Sequence, residues 1–176
     1  TSVEAALVNA TTGGAEKFNG LAALATPDAS STMSLGTGQR LNADMLLGMR
    51  EKMGKYGINP ADVAYIVNME EYYNLVNDPA FSDISEVGSD IAAKVTGTMG
   101  SVYGSPVVIS DHFARAANKT AAIAVNVHNY VVPRLKGVGI ESEYETANQR
   151  TAIVAAQSLG FTELYAGGGA DLPSVR

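Results

Sequence analysis

The chain has 176 residues, 46% of them hydrophobic, and a formal net charge of -6. This length suits one domain or two small lobes, which can bury a core without a disulfide or metal. The absence of cysteine excludes disulfide frameworks, thiol nucleophiles and thiolate metal sites. The 12 Lys and Arg residues are scattered, so we expect no tight binding to nucleic acid or to anionic membrane.

The first residues indicate that something upstream is missing. The chain begins Thr1-Ser2-Val3, without Met and without a signal-peptide pattern, so we expect a mature or trimmed fragment. No apolar run approaches the roughly 20 residues that cross a bilayer. Residues 1–10 have apolar side chains at helical spacing, and Gly13-Gly14 ends that helix. Residues 15–38 have the composition of an extended loop.

Residues 41–56 form the clearest predicted helix. Asn42 is the expected N-cap and Gly57 the expected C-cap. The apolar stripe that should face the core consists of Met45, Leu46, Met49 and Met53. The spacing therefore predicts a helix with one buried side.

A strand and a second helix follow. Residues 63–67 are β-branched or aromatic, as in a strand. Asn68 then stands at the cap of a short helix that runs through Val76. Residues 107–109 predict a short buried strand.

The second half of the chain predicts consecutive strands. Residues 121–127 form one strand, and residues 130–132 continue it or pair with it. Residues 137–145 alternate, which gives one acidic face, and residues 151–158 form the neighbouring strand after a turn. A glycine-rich segment then leads into a tail that we expect to be mobile. The order of elements predicts an α+β chain with a helix-bearing lobe and a separate antiparallel sheet.

Three groups of residues resemble enzyme or ligand sites. Asp111-His112 is the one acid–histidine neighbour pair, but no G-x-S-x-G nucleophile accompanies it, and neighbours on a strand point to opposite faces. His128 has no second ligand at metal-binding spacing, so we expect a partly buried, hydrogen-bonded histidine. The segment 97–104 is glycine-rich but is followed by Ser-Pro and a strand, which favours tight turns over a phosphate loop. No catalytic residue, metal or cofactor is predicted.

Two N-glycosylation patterns, at Asn9 and Asn118, are interpreted as chance matches because no export signal is present.

The acidic strand is the main candidate for a contact surface. Glu141, Glu143 and Glu145 share one face of the predicted strand, and Arg150 begins the next one. One interpretation is a solvated face. The other is a docking surface that meets Arg or Lys from a neighbouring copy. The sequence leaves both open.

The layout of the whole chain resembles the major capsid proteins of tailed bacteriophages with the Hong Kong 97-like fold. Segments 104–110 (Gly-Ser-Pro-Val-Val-Ile-Ser), 126–132 and 145–164 resemble successive segments of that family, and 5–21 and 41–75 resemble its spine-helix end and axial core. The N-terminal arm, the extended loop and most of the spine helix of the family have no counterpart here. Cross-linking chemistry of that loop is therefore assigned to no residue.

The resemblance implies a division of the chain and a mode of action. Residues 1–40 would end the spine helix and connect it, 41–123 would form an axial-type domain, 124–165 a peripheral sheet, and 166–176 a flexible tail. Copies would assemble as pentamers and hexamers into an icosahedral head around DNA, made in the bacterial cytoplasm. Scaffold, portal or decoration proteins would be further partners, without specific nucleic-acid or membrane binding. The alternatives are an encapsulin-like nanocompartment shell and a hydrolase that uses Asp111 and His112.

Overall fold

A computed structural model describes residues 7–8, 20–25, 32–36, 39–78, 100–113, 121–167 and 171–176. Its helices are α1 (Leu21–Leu24), α2 (Ala43–Lys52) and α3 (Met69–Val76). Its strands are β1 (Val63–Asn68), β2 (Ser101–Val102), β3 (Ser105–Ser110), β4 (Ala122–Asn126), β5 (Tyr130–Val131), β6 (Arg134–Glu145), β7 (Arg150–Leu159), β8 (Thr162–Glu163) and β9 (Ser174–Val175). The predicted α+β class is confirmed.

A five-stranded mixed sheet organises the first lobe. Its strand order is β2-β3-β1-β4-β9, with β1 parallel to β3 and antiparallel to β4. The β-branched and aromatic residues of β1 suit a central strand, which must be covered on both faces. Five of its six residues are buried. The predicted strand at 63–67 is therefore confirmed as the middle of the sheet.

Side chains of β1 alternate between two apolar clusters, as a period of two requires. Val63, Tyr65 and Val67 point into the larger cluster, while Ala64 lies in the smaller one. The larger cluster also contains residues from α2 and its C-cap, from α3 and from β9: Leu46, Met49, Met53, Leu75 and Val175. The Tyr65 hydroxyl donates to the Leu46 carbonyl oxygen at 3.2 Å, and burial raises the pKa of Tyr65. This hydrogen bond and the shared apolar cluster hold helix α2 against the sheet.

Helix α2 begins as predicted and ends differently. Asn42 caps it, since its side chain accepts from the Met45 amide at 2.9 Å. The predicted C-cap at Gly57 is wrong, because the helix ends at Lys52 with Met53 as its C-cap, and Gly54 has the positive φ, +53°. Gly57 is needed for another reason. It is buried against the Arg50 carbonyl oxygen, and a Cβ there would collide with that oxygen.

Helix α3 begins at the predicted cap. The Asn68 side chain accepts from the Glu70 amide at 3.2 Å. Buried Glu71 does not close a capping box, because the Asn68 amide donates to the Ala121 carbonyl oxygen. Instead the Glu71 carboxylate accepts from the Leu41 amide at 3.1 Å. This bond ties α3 to the segment that enters α2.

The prediction of a flexible tail over 166–176 is wrong for 171–176. Residues 172–175 are buried, and β9 pairs with β4. The Pro173 carbonyl oxygen accepts from the Asn126 amide, and the Arg176 carbonyl oxygen accepts from the Met33 amide at 2.7 Å. The glycine-rich sequence predicted mobility because ordering glycine costs conformational entropy. Leu172 and Val175 pack into the core, and this burial outweighs that cost.

Three further expectations need correction. The predicted boundary after residue 123 falls inside β4, which belongs wholly to the five-stranded sheet. Strand β5 pairs with β8, not with β4. Strand β3 forms where predicted, but Val108 is 50% exposed, so this part of the strand is not buried.

Several expectations fall outside the described residues. These are the first part of the glycine-rich segment (97–99), both glycosylation patterns and most of the loop at 15–38. Leu7 and Val8 are helical, as the predicted N-terminal helix requires.

Candidate assembly surface

Strands β6 and β7 form a long antiparallel hairpin, which is the second lobe of the described chain. The two strands are joined by a turn over 146–149, where Gln149 has φ +50°. The predicted strands at 137–145 and 151–158 are thus confirmed, and each is longer than expected. Within the part of the chain that the structure describes, these strands pair only with each other. Both faces of the hairpin are available for contact.

At the tip of the hairpin, Glu145 accepts hydrogen bonds from Arg150 and Asn148. The Arg150 guanidinium donates to both oxygens of Glu145, from Nε at 2.7 Å and from Nη2 at 3.2 Å. Asn148 Nδ2 also donates to Glu145, at 3.0 Å. The hydrogen bond from Arg150 is the larger cause, and the bond from Asn148 the smaller one, that lowers the pKa of Glu145 below its ordinary value. Glu145 and Arg150, two of the four predicted contact residues, therefore form an ion pair within one chain.

The register divides the other side chains between two faces. Directly opposed residues of an antiparallel pair share a face. We call the apolar face the one that carries Arg134, Ile140, Ser142 and Tyr144 of β6 and Thr151, Ile153, Ala155 and Leu159 of β7. Ile140 is 71% exposed and Ile153 is 70% exposed. Large side chains in this state are typical of an interaction surface.

The opposite surface, which we call the polar face, carries the predicted acidic residues. It comprises Lys136, Gly139, Glu141, Glu143 and Glu145 of β6 and Arg150, Ala152, Val154, Ala156 and Ser158 of β7. Glu141 and Glu143 are exposed, and neither makes an ion pair with any residue that the structure describes. Their opposite neighbours are Val154 and Ala152, which offer no charge.

Lys136 lies on the polar face because β6 is irregular near its start. Simple alternation would place residue 136 with Ile140 on the apolar face. Register shifts between Arg134 and Lys136, and between Lys136 and Gly139, bring Lys136 opposite Ser158. The Lys136 ammonium lies 3.7 Å from the position that a Cβ of Gly139 would occupy. The only lysine of the hairpin therefore leans over Gly139 toward the glutamates. A bulge has no clear signal in alternating sequence, so this residue was missed.

The other predicted candidates lie in a turn and in an exposed hydrogen bond. Asp111 and His112 lie in the turn after β3, where the His112 amide donates to the Ser110 hydroxyl at 3.4 Å. This is a side-chain-capped turn, and Ser110 is only 3% exposed, which does not suit a nucleophile. His128 bonds to Asp62 at 3.2 Å as expected of a hydrogen-bonded residue. It is exposed, however, and not partly buried.

The described end of the glycine-rich segment is a tight turn, as predicted. Tyr103 and Gly104, with φ of +49° and +79°, connect β2 to β3. Among the described ranges there is no group of three or more acidic or histidine side chains that could hold a metal. None of the helices described is long and apolar enough to span a membrane.

Solved structures share this architecture. A structure from Mycobacterium phage Che8 matches with a TM-score of 0.62 and 17% identity, over 86% of this chain and 53% of that one. The capsid of Cyanophage P-SCSP1u matches with a TM-score of 0.57 and 20% identity, over 76% of this chain and 44% of that one. The SrpI encapsulin of Synechococcus elongatus matches with a TM-score of 0.62 and 14% identity, over 99% and 59%. The chain has the fold of phage capsid and encapsulin shell proteins.

A particular sequence relative is the major capsid protein of Escherichia phage T5. The two are 33% identical over 159 residues, which is 88% of this chain. The chain spans only 34% of the length of that relative. No model of a known protein family matches. The resemblance to tailed-phage major capsid proteins is confirmed in sequence and in fold.

Proposed function

We propose that this chain is the shell-forming part of a major capsid subunit from a tailed bacteriophage or prophage, which assembles into an icosahedral head enclosing DNA. The observation that carries the proposal is the 33% identity to the T5 major capsid protein over 159 residues. The capsid-like fold supports it independently. The role is structural and needs no catalytic residue or cofactor. The subunit is made in the host cytoplasm and resides in the virion.

The two lobes take different places in the proposed shell. The axial-type lobe, first drawn as 41–123, surrounds the five- and six-fold positions. The pairing of β4 and β9 within its sheet supports adding 124–126 and 171–176. The peripheral lobe, within 127–165, meets neighbours near three-fold positions. Scaffold, portal and decoration proteins are the further partners expected of such a head.

The hairpin is the proposed contact region of the peripheral lobe. Its exposed Ile140 and Ile153 support contact through the apolar face. Glu141 and Glu143 support contact with cations through the polar face, whereas Glu145 and Arg150 shape the tip. Many modest contacts of this kind stabilise a closed shell through their number.

Electron microscopy of the complete gene product that includes this sequence tests the proposal. Expressed alone in bacteria, it should yield closed shells of uniform diameter. A matched variant, Ile140→Glu/Ile153→Glu, leaves the five-stranded sheet untouched and should abolish them. Only amorphous aggregate or monomer from the unmodified protein, even with a scaffold partner, would contradict the proposal.

An encapsulin-like nanocompartment shell is the alternative that the SrpI match supports, since that match covers 99% of this chain. Cargo separates the two proposals. Particles from the native host that contain a genome-length nuclease-protected DNA indicate a phage head. Particles filled with one protein species indicate a nanocompartment.

The 176-residue chain alone should be monomeric or weakly associating, because it spans only 34% of the length of the relative. Static light scattering measures this directly. A discrete shell of high mass from this chain alone would show that no further segment is needed for assembly.

A further inference from the structure

We infer that the polar face of the hairpin is self-complementary and docks against the same face of a second copy, with Lys136 as the cation for Glu141 and Glu143. The inference rests on the proposed shell function and names the partner surface. It starts from the position of Lys136, which the register shifts in β6 place among the acidic residues.

The charges on this face are separated along the strand. At the tip, Glu145 and Arg150 neutralise each other. Next come Glu141 and Glu143, and toward the base comes Lys136. Among the described residues Lys136 forms no ion pair. One chain thus has a negative distal half and a positive proximal end on a single surface.

A two-fold rotation that reverses the strand direction brings these unlike ends together. Suppose that Ser158 of β7 lies over Ala152 of the second copy. Lys136 is the cross-strand neighbour of Ser158, and Glu143 is the cross-strand neighbour of Ala152, so Lys136 then faces Glu143 of that copy. Gly139 then faces Glu141 of the second copy. Since the Lys136 ammonium leans over Gly139, it lies between both glutamates. Face-to-face stacking with parallel strands would instead place β6 over β7 of the second copy, where Glu141 and Glu143 would face Val154 and Ala152 and find no cation.

The shape of the face allows this approach. The residues between the charges are Gly139, Ala152, Val154 and Ala156, and they carry no large polar group. The carboxylates and the ammonium can therefore meet across a shallow surface. A second copy is the occupant that the charge pattern favours, because the same rotation satisfies both ends of both chains at once.

Thiol cross-linking tests the inference without altering the charges, since the chain has no cysteine. The double variant Ala152→Cys/Ser158→Cys carries thiols opposite Glu143 and Lys136. The two positions are about 20 Å apart along one strand, which is too far for a short linker within one chain. In two docked copies the thiols face each other twice, across a sheet-to-sheet separation of about 10 Å that a short bismaleimide linker spans and a disulfide does not. Treating the complete gene product with this linker should give covalent dimers, with at least fivefold more dimer than in the control.

The control is the single variant Ala152→Cys, whose thiol faces the unmodified Ser158 of the second copy in the proposed docking. Adding Lys136→Glu to the cross-linking variant should lower the dimer yield at least fivefold. Adding Glu141→Lys/Glu143→Lys to a second population and mixing it with the Lys136→Glu population should restore the yield. The yield should fall with added salt, because screening shortens to about 8 Å at 0.15 M.

The outcomes separate this inference from the proposed function. Shells that form normally, yet give no more dimer from Ala152→Cys/Ser158→Cys than from the control, would overturn the inference and leave the capsid role intact. The same holds if Lys136→Glu leaves the dimer yield unchanged. Failure of the unmodified protein to form any shell would refute the capsid role itself.

Discussion

The five-stranded sheet and the β6–β7 hairpin are built from similar residue types but reach opposite states of burial. Val63, Tyr65 and Val67 in β1 are fully buried, whereas Ile140 and Ile153 are 71% and 70% exposed. The sheet is covered on both faces by its own chain. A lone two-stranded hairpin is marginally stable in water and needs a partner. Among the described residues, the first lobe therefore buries its own apolar side chains, whereas those of the hairpin stay exposed.

The largest effect on stability should come from a substitution that creates a cavity in the core of the first lobe. Leu46 is fully buried beneath the sheet. Leu46→Ala should lower the free energy of unfolding by about 2–5 kcal/mol, through lost burial and a residual cavity. Ile153→Ala, which removes the same number of carbon atoms from the hairpin, should cost less than about 0.5 kcal/mol in the isolated chain. Urea unfolding measures both. Equal losses would remove the distinction between the lobes.

Alkaline pH should act on Tyr130 of β5, which packs against the smaller apolar cluster and so differs from the exposed hairpin. Burial, opposed by the neighbouring Ser174 hydroxyl and assisted by Glu163, raises the pKa of Tyr130 to about 12. The unfolded chain loses this proton near 10.0, so stability is full below pH 10 and falls as pH rises from 10 toward 12. Thermal melts across this range measure the loss.

Tyr130→Phe is the matched variant for the alkaline melts. It keeps the ring, which stacks on Phe161 with centroids 5.4 Å apart. It should reduce the pH dependence and leave the part that arises from Tyr65. An identical pH dependence in both proteins would show that Tyr130 is not responsible.

The caps of the first lobe should give a smaller effect. Asn68→Ala removes the bond to the Glu70 amide and should cost about 1 kcal/mol. Asn148→Ala, at the hairpin tip, also removes an amide side chain that bonds to a glutamate, but in an exposed place. It should leave the unfolding midpoint within error. A larger loss for Asn148→Ala would mean that the tip contributes to global stability.

Acid should have the smallest effect, confined to the hairpin tip. The bonds from Arg150 and Asn148 lower the pKa of Glu145 below 4.5. Their contribution is present above pH 4.5 and is lost as pH falls through the lowered pKa. Because the pair is exposed, solvent screening keeps that contribution small. Nuclear magnetic resonance titration of the Glu145 carboxyl, with Arg150→Gln as control, should show a pKa closer to its ordinary value in the variant, where only the Asn148 bond still lowers it.

The sequence predicts elements well where a local signal and the final packing agree. Asn42 and Asn68 cap the helices because the cap bond is made within three residues. The alternation in 137–145 correctly separates Glu141 from Ile140. The fold class follows from the order of elements, and the resemblance to capsid proteins adds the architecture.

The errors come from long-range contacts that local patterns do not encode. Strand β9 forms because Val175 reaches the core beside β4, about fifty residues earlier in the chain. Lys136 lies on the polar face because of irregularities in the ladder between Arg134 and Gly139. Gly57 is required by a close approach to Arg50 and not by a helix cap. Each depends on a partner that is known only after folding.

The pairing of β9 with β4 has a consequence for synthesis on the ribosome. Until residues 174–175 leave the exit tunnel, β4 has an unpaired edge while β1 and β3 are already available. An open edge of Ala122, Ile123 and Val125 can recruit a strand from a neighbouring nascent chain. The later residues 174–175 emerge after β4, the longer this edge stays open to aggregation between newly made chains.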